Sequence, residues 1–193
     1  MMPPSETRSI DDGTRDHGVG RRMRLREFQS RLVSRMQAAQ SGTDAHTNQL
    51  GVLIGATRWL IDLQQAGEIV PVGTITPVPL TQDWFLGVTN IRGNLVSVAD
   101  LARFHGDAAT PVEKDSRIVA FAPALAFNGA LLVTRVLGLR NMMQMRESGG
   151  ATGAVDDGQL WSRVHYVDED EQVWSQLDLS RAIQDPRFLH VGI

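Results

Sequence analysis

Four consecutive carboxylates, Asp168-Glu169-Asp170-Glu171, hold the densest charge in the chain. They could attract a calcium ion, but they lack the glycine and the downstream glutamate of a helix-loop-helix calcium site, so they read as a solvated hairpin tip. The five histidines, His17, His46, His105, His165 and His190, never fall at metal-ligand spacing. His165 sits in an extended stretch and reads as a packing or surface residue. Met142-Met143 and Met145 have the softness of an adaptable binding surface and also of ordinary packing. Trp84 is equally a candidate contact hot spot and a core anchor. Phosphate cradles, nucleophile elbows, zinc-binding helix motifs and dinucleotide fingerprints are missing from the sequence. No catalytic, cofactor or metal residue is assigned. The chemistry that remains is recognition. Arg92 offers a planar donor fork to a carboxylate or carbonyl, Gly93 permits a tight turn, and Asn90 lies two residues upstream.

The elements that present Arg92 are legible. Trp84–Leu101 reads WFLGVTNIRGNLVSVADL. Leu86–Ile91 and Leu95–Ala99 are apolar runs on either side of Arg92-Gly93-Asn94, which gives a β-hairpin with a polar tip. Asp100 follows as the cap of a short helix, Leu101–His105, that Gly106 ends. Leu50–Ile54 and Trp59–Ile61 form an earlier hairpin, and Glu68–Val72 is a further extended run. Pro77 and Pro79 make an exposed connection. Ile118–Ala122 and Ala130–Val136 flank Asn128-Gly129, where the dipeptide predicts a type I′ turn. The stretch 147–158 is rich in glycine and reads as a flexible loop. Val164–Val167 and Val173–Leu177 flank the acidic turn. Asp178 starts a last short helix, Leu179–Ile183, that Pro186 stops.

Residues 1–20 are polar, with Pro, Gly and mixed charge, and read as a disordered tail. Residues 21–45 read as a basic amphipathic helix and linker. Leu25, Phe28, Leu32, Val33, Met36 and Ala39 share one face, and Arg21, Arg22, Arg24, Arg26, Arg31 and Arg35 cover much of the rest. Such a helix packs on its own domain, or serves an anionic surface or a partner groove.

Composition narrows the class. The chain has 193 residues, a 42% hydrophobic fraction and a net charge of −3, so it can build a core and carries no global basic field for nucleic acid. It has no cysteine, which removes disulfides and thiolate chemistry and fits a reducing cytoplasm. No signal peptide and no membrane-length apolar run is visible. The sequence also echoes itself. Ser97-Val98-Ala99-Asp100-Leu101-Ala102-Arg103 and Ser175-Gln176-Leu177-Asp178-Leu179-Ser180-Arg181 share Ser-x-x-Asp-Leu-x-Arg, each after a hairpin. The expectation is a mainly β protein with two related subdomains of short strands, closed as small barrels.

The hairpin residues resemble the CheW-like family of chemotaxis coupling proteins. The pattern is an aromatic, here Trp84, then Gly87-Val88-Thr89-Asn90-Ile91-Arg92-Gly93, then an apolar strand ending Asp100-Leu101. Glu68-Ile69, Leu131–Val136 and Val173–Leu179 resemble further family segments, over about 48–183 in all. Thr134 stands where an aspartate is usual, and the glycine-rich stretch replaces a proline and an Ile-x-Gly pattern. With the added N-terminal helix, these departures resemble the coupling proteins of type IV pilus (twitching motility) systems, of the PilI kind. The resemblance implies a CheW-like domain over residues 46–193, built as two five-stranded SH3-like β-barrels with short helices. It implies a non-enzymatic, cytoplasmic adaptor recruited to membrane-associated receptor arrays. Its partners are expected to be the cytoplasmic tip of a methyl-accepting chemoreceptor and the regulatory domain of a CheA-type histidine kinase. It meets the membrane only through receptors and is expected to bind no nucleic acid and no cofactor. Glu68, Val88, Asn90, Arg92, Gly93, Val136 and Leu139 are the receptor-binding residues carried over. Two other readings stay open: a β-barrel scaffold for other protein partners, and a nucleic-acid binder that uses the arginine-rich helix.

Overall fold

The computed structural model describes residues 48–148, 161 and 164–193. The expected tail, the arginine-rich helix with its linker and most of the glycine-rich loop lie outside the described residues. Alternating apolar residues and tight turns give eleven described strands. These are β1 (Asn48–Ile54), β2 (Thr57–Asp62), β3 (Ala66–Pro71), β4 (Phe85–Ile91), β5 (Asn94–Ala99), β6 (Arg117–Phe121), β7 (Gly129–Val133), β8 (Arg135–Asn141), β9 (Arg146–Ser148), β10 (His165–Val167) and β11 (Val173–Leu177). Three one-turn helices accompany them: α1 (Leu101–Phe104), α2 (Leu179–Ala182) and α3 (Pro186–Leu189).

The strands form two mixed sheets. One runs β8-β1-β2-β11-β10-β9 and the other β3-β6-β7-β5-β4. Neither ladder closes on itself, so the two five-stranded closed barrels expected from the sequence become an open six-stranded and an open five-stranded sheet. The five-stranded sheet nonetheless curls. The chain leaving β3 at one edge is pinned at the other edge, where Thr76 and Val88 exchange backbone hydrogen bonds of 2.8 and 2.9 Å. One bridge replaces a closing ladder.

β7 and all of β6 beyond Arg117 are apolar because both their faces are buried. Ile118, Ala120, Ala130 and Leu132 point into the curl of the five-stranded sheet with Val96, Val98 and Ile91. Val119, Phe121, Leu131 and Val133 point the other way, into a larger core shared with Leu50, Val52, Ile54, Trp59 and Ile61 of the six-stranded sheet. Trp84 belongs to that shared core, stacked on Phe188 at 5.3 Å and edge-on to Phe104 at 5.1 Å.

The sequence echo is a structural repeat. Within the two sheets only β5–β7 and β2–β11 pair in parallel, and the repeated phrase supplies β5 and β11. The capping aspartates adopt nearly the same backbone, with φ −100° and ψ 104° at Asp100 and φ −98° and ψ 100° at Asp178. Each accepts a hydrogen bond from the amide two residues on. Each is paired with the arginine three residues on, at 3.7 Å for Arg103 and 3.2 Å for Arg181. Leu101 and Leu179 are both fully buried. The copies differ in what closes over the carboxylate. Thr110 seals Asp100 with its amide at 2.8 Å and its hydroxyl at 2.6 Å. Asp178 stays partly exposed, and Gln65 donates to it at 3.0 Å while accepting from the Leu179 amide at 2.7 Å. Asp100→Ala therefore strands buried donors and is expected to cost about 2–3 kcal/mol, with Asp178→Ala costing about 1 kcal/mol, in urea unfolding.

Three local expectations are corrected. The Asn128-Gly129 type I′ turn does not form. The connection from β6 runs through a 3-10 turn at Pro123–Leu125 and a left-handed Ala126 at φ 50°. Gly129 opens β7 instead, packed so closely that an added Cβ would lie 2.6 Å from the Phe127 ring. The expected strand Ala130–Val136 breaks at Thr134, whose amide bonds Leu53 O at 2.8 Å as the chain passes from one sheet to the other. Pro186 does not merely stop α2. It occupies the first turn of α3, capped by Asp185, where its missing N–H costs nothing.

The acidic turn proves structural. The Asp168 carboxylate accepts from the amides of Asp170 and Gln172 and from Trp174 Nε1 at 2.8 Å. Burial pushes its pKa up, but these hydrogen bonds and the charge of Arg140 outweigh it and leave the pKa below the ordinary 3.8. At Asp178, burial is likewise outweighed by bonds from Ser180 and Gln65. At Asp185, the Arg187 side chain leads in lowering it against burial. A lowered carboxylate stabilises the fold above its unfolded pKa, and that stability is lost as pH falls through the folded value. Thermal melts are expected to hold level from neutral pH to about pH 5 and to drop steeply below about pH 4.

Candidate functional site

The hairpin tip is built from four residues. Ile91 pairs with Asn94, so the turn has only two residues, Arg92 and Gly93, not the three expected. Their φ angles of 50° and 89° are those of a type I′ turn, whose twist matches the flanking strands. A left-handed arginine costs about 1 kcal/mol or more. Asn90 offsets part of this by accepting the Gly93 amide on Oδ1 at 2.8 Å. The Arg92 side chain is 80% exposed, and its Nε lies 2.7 Å from Oε1 of Glu68, which is 33% exposed.

That contact carries structural information. Glu68 lies on β3 and Arg92 follows β4, and these are the opposite edges of the five-stranded sheet. The ion pair spans the gap that the backbone ladder leaves open, beside the Thr76–Val88 bridge. Thr89 strengthens the same seam by donating its hydroxyl to Thr74 O at 2.9 Å. Arg92 therefore bonds a partner across the sheet, not the carbonyls of its own loop.

The remaining predicted residues separate into two groups. Val88 is half-buried on β4, and Asn90 and Gly93 are exposed at the tip. Val136 is half-buried on β8, packed against the shared core, and lines a cleft of about 340 Å³ with Ile69, Asp115, Arg117 and Arg135. Ile69 follows Glu68 on β3, so β3 joins the tip to the cleft. Leu139, three residues beyond Val136, is 64% exposed on the same edge strand and stands in register with Leu50. Leu95, paired with Asn90, is also 64% exposed, so apolar surface lies beside the Arg92 turn.

Sequence reasoning missed Asp115, Arg117 and Arg135. Asp115 and Arg117 lie together at the start of β6 and Arg135 opens β8, so only the fold brings them together, and the β-bulge between Ala66 and Ile69 breaks the alternation that would have aimed Ile69. Elsewhere the polar residues are spent on structure. His165 Nδ1 lies 3.0 Å from Ser175 Oγ, and Arg146 pairs with Glu171 at 3.1 Å. Asn141 caps the 3-10 turn that carries Met142 and Met143. Among the described residues, no group of three or more histidine or acidic side chains converges on a metal position, and no helix is long and apolar enough to cross a membrane.

Two mixed sheets about a shared core, with an Asn-x-Arg-Gly hairpin at the edge, define a class. The chain belongs to the CheW-like domain family, which matches residues 49–187. Among curated relatives it is similar to Protein PilI of Pseudomonas aeruginosa, with 25% identity over 88% of this chain and 91% of that protein. It is also similar to Chemotaxis protein CheW of Helicobacter pylori, with 34% identity over 45% of this chain and 55% of that one. Protein FrzA of Myxococcus xanthus matches at 29% over 46% of this chain and 55% of its own length. The crystal structure of the scaffolding protein TtCheW from Thermoanaerobacter tengcongensis shares the fold, with a TM-score of 0.57 and 19% identity over 68% of this chain and 88% of that one.

Proposed function

We propose that this chain is a non-enzymatic adaptor that couples a methyl-accepting chemoreceptor to a CheA-type histidine kinase in a type IV pilus signalling system. The observation that carries the proposal is the tip itself. A left-handed, largely exposed arginine is paired with Glu68 on a hairpin turn that Asn90 braces through the Gly93 amide. Exposed backbone strain in a non-glycine residue motivates a functional role. The family supplies the kind of partner, and the match to PilI over most of both chains favours the pilus variant.

In this reading the receptor's helical tip lies along the seam between β3, β4 and β8. Arg92 and Glu68 provide its polar contacts, and Val88, Val136 and Leu139 receive its apolar side chains. Helix-in-groove binding needs anchors every three or four residues, which a row of edge strands offers. The regulatory domain of the kinase occupies a second surface through strand edges and apolar contacts. Both contacts are transient, with affinities of roughly micromolar order. Signalling arises from geometry and population shift, not from a reaction in this chain.

The test is a calorimetric titration of the full chain against the isolated regulatory domain of the CheA-type kinase from the same cell. Saturable one-to-one binding is expected. No heat at about 100 µM would remove the kinase from the proposal and leave a scaffold with other partners.

A further inference from the structure

The cleft between β3 and β8 contains more charge than a purely apolar groove requires. Its apolar wall is Ile69, 40% exposed, and Val136. Its polar wall holds Arg117 and Arg135 against the single carboxylate of Asp115. Two guanidinium groups against one carboxylate leave a local charge of +1 in a chain whose net charge is −3.

The two arginines are held differently. Arg117 is fixed, because its Nη1 donates to Lys114 O at 2.9 Å and Ser116 O at 2.7 Å. Its Nε and Nη2 make no hydrogen bond among the described residues. Arg135 meets only Asp115 there, at 3.6 Å, and both side chains are more than half exposed. A pair that long and that wet contributes little, so a better acceptor displaces Asp115 readily. Arginine in place of lysine favours a planar acceptor taken by two parallel N–H donors.

We infer that this cleft selects a carboxylate on the partner. Resting on the adaptor reading above, the occupant is a receptor-tip helix that carries an Asp or Glu one turn from an apolar side chain. The apolar side chain seats on Ile69 and Val136, and the carboxylate takes Arg135 from Asp115 with Arg117 behind it. Residues three or four apart share one helix face, which matches an apolar wall beside a cationic one. The site sets partner choice and salt dependence more than total affinity.

The experiment uses the full chain and a fluorescent cytoplasmic tip fragment of a chemoreceptor from the same cell, in an anisotropy titration. Arg135→Glu is expected to weaken binding about tenfold and to flatten its salt dependence. Asp115→Asn, which removes the internal competitor, is expected to tighten binding about twofold. Replacing the acids of the tip fragment one at a time with lysine is expected to yield one fragment that binds Arg135→Glu better than it binds the parent. Thermal melts confirm that the variants fold. If Arg135→Glu and Asp115→Asn bind like the parent while Arg92→Ala does not, the carboxylate site is wrong and the adaptor reading stands. If inorganic phosphate at matched ionic strength abolishes the effect of Arg135, the site is a general anion patch and the inference fails. If the folded parent chain does not bind the tip fragment at all, the adaptor reading falls, and this inference with it.

Discussion

Arg92→Ala is expected to melt within about 2 °C of the parent and to lose about thirtyfold in affinity for the receptor tip, near 2 kcal/mol. The two effects separate because the residue contributes little to the fold. Its ion pair with Glu68 joins a guanidinium that is 80% exposed to a carboxylate that is 33% exposed, and solvent screens such a pair to less than about 1 kcal/mol. Alanine keeps the left-handed backbone and its strain, so the loss of this weak pair is the main change that its melt registers. Arg92→Gly removes the strain as well and is expected to be slightly more stable than the alanine variant while binding no better. Arg92→Lys keeps the charge but not the fork, and is expected to recover only part of the affinity. A large drop in melting temperature in Arg92→Ala with unchanged binding would make the residue structural.

Gly87→Ala is expected to destabilise the domain by about 4 kcal/mol, a fall of roughly 10 °C in melting temperature, and to weaken receptor binding as well. Gly87 has a φ of 125°, which side-chain-bearing residues rarely adopt. A Cβ there would lie 2.1 Å from Thr76 O and 2.8 Å from Pro77 Cα. Relief requires Thr76 to move off β4, which breaks both hydrogen bonds to Val88 and the Thr89–Thr74 contact. That seam holds the two edges of the five-stranded sheet together and sets the distance from Glu68 to Arg92. Gly93→Ala is the control. Its φ of 89° is strained too, but an added Cβ there meets nothing within 4 Å, so the cost is only about 1–2 kcal/mol. Equal costs at the two positions would show that the Thr76 bridge contributes nothing.

What the sequence revealed follows the range of the interactions. The Arg92 hairpin was legible because its chemistry lies within four residues, with Asn90 bonding Gly93 and positive φ at two positions. The caps at Asp100 and Asp178 were legible for the same reason, and the shared phrase foretold their matching geometry. Asn128-Gly129 misled because a local turn preference met a packing demand. Phe121 and Phe127 crowd Gly129, and the ladder to β5 takes it as a strand residue. The break at Thr134 could not be read from apolar periodicity. The apolar run continues across a change of sheet, where Thr134 bonds Leu53 and Gly55 from some eighty positions away and β8 goes on to pair with β1. Curling in place of closure is a matter of how two edges meet, and single strands carry no mark of it. The site divides in the same way. Asn90, Arg92 and Gly93 are one local motif, whereas Ile69, Asp115, Arg117, Arg135 and Val136 become neighbours only after β3, β6 and β8 are placed.

The most direct measurement of coupling reconstitutes the CheA-type kinase with membranes that contain the receptor, with and without this chain, and follows kinase autophosphorylation as the stimulus is varied. The receptor is expected to control the kinase only when the chain is present, and Arg92→Ala is expected to fail to restore that control at matched concentration. Stimulus-dependent kinase activity that is the same without the chain, or fully restored by Arg92→Ala, would contradict this coupling role.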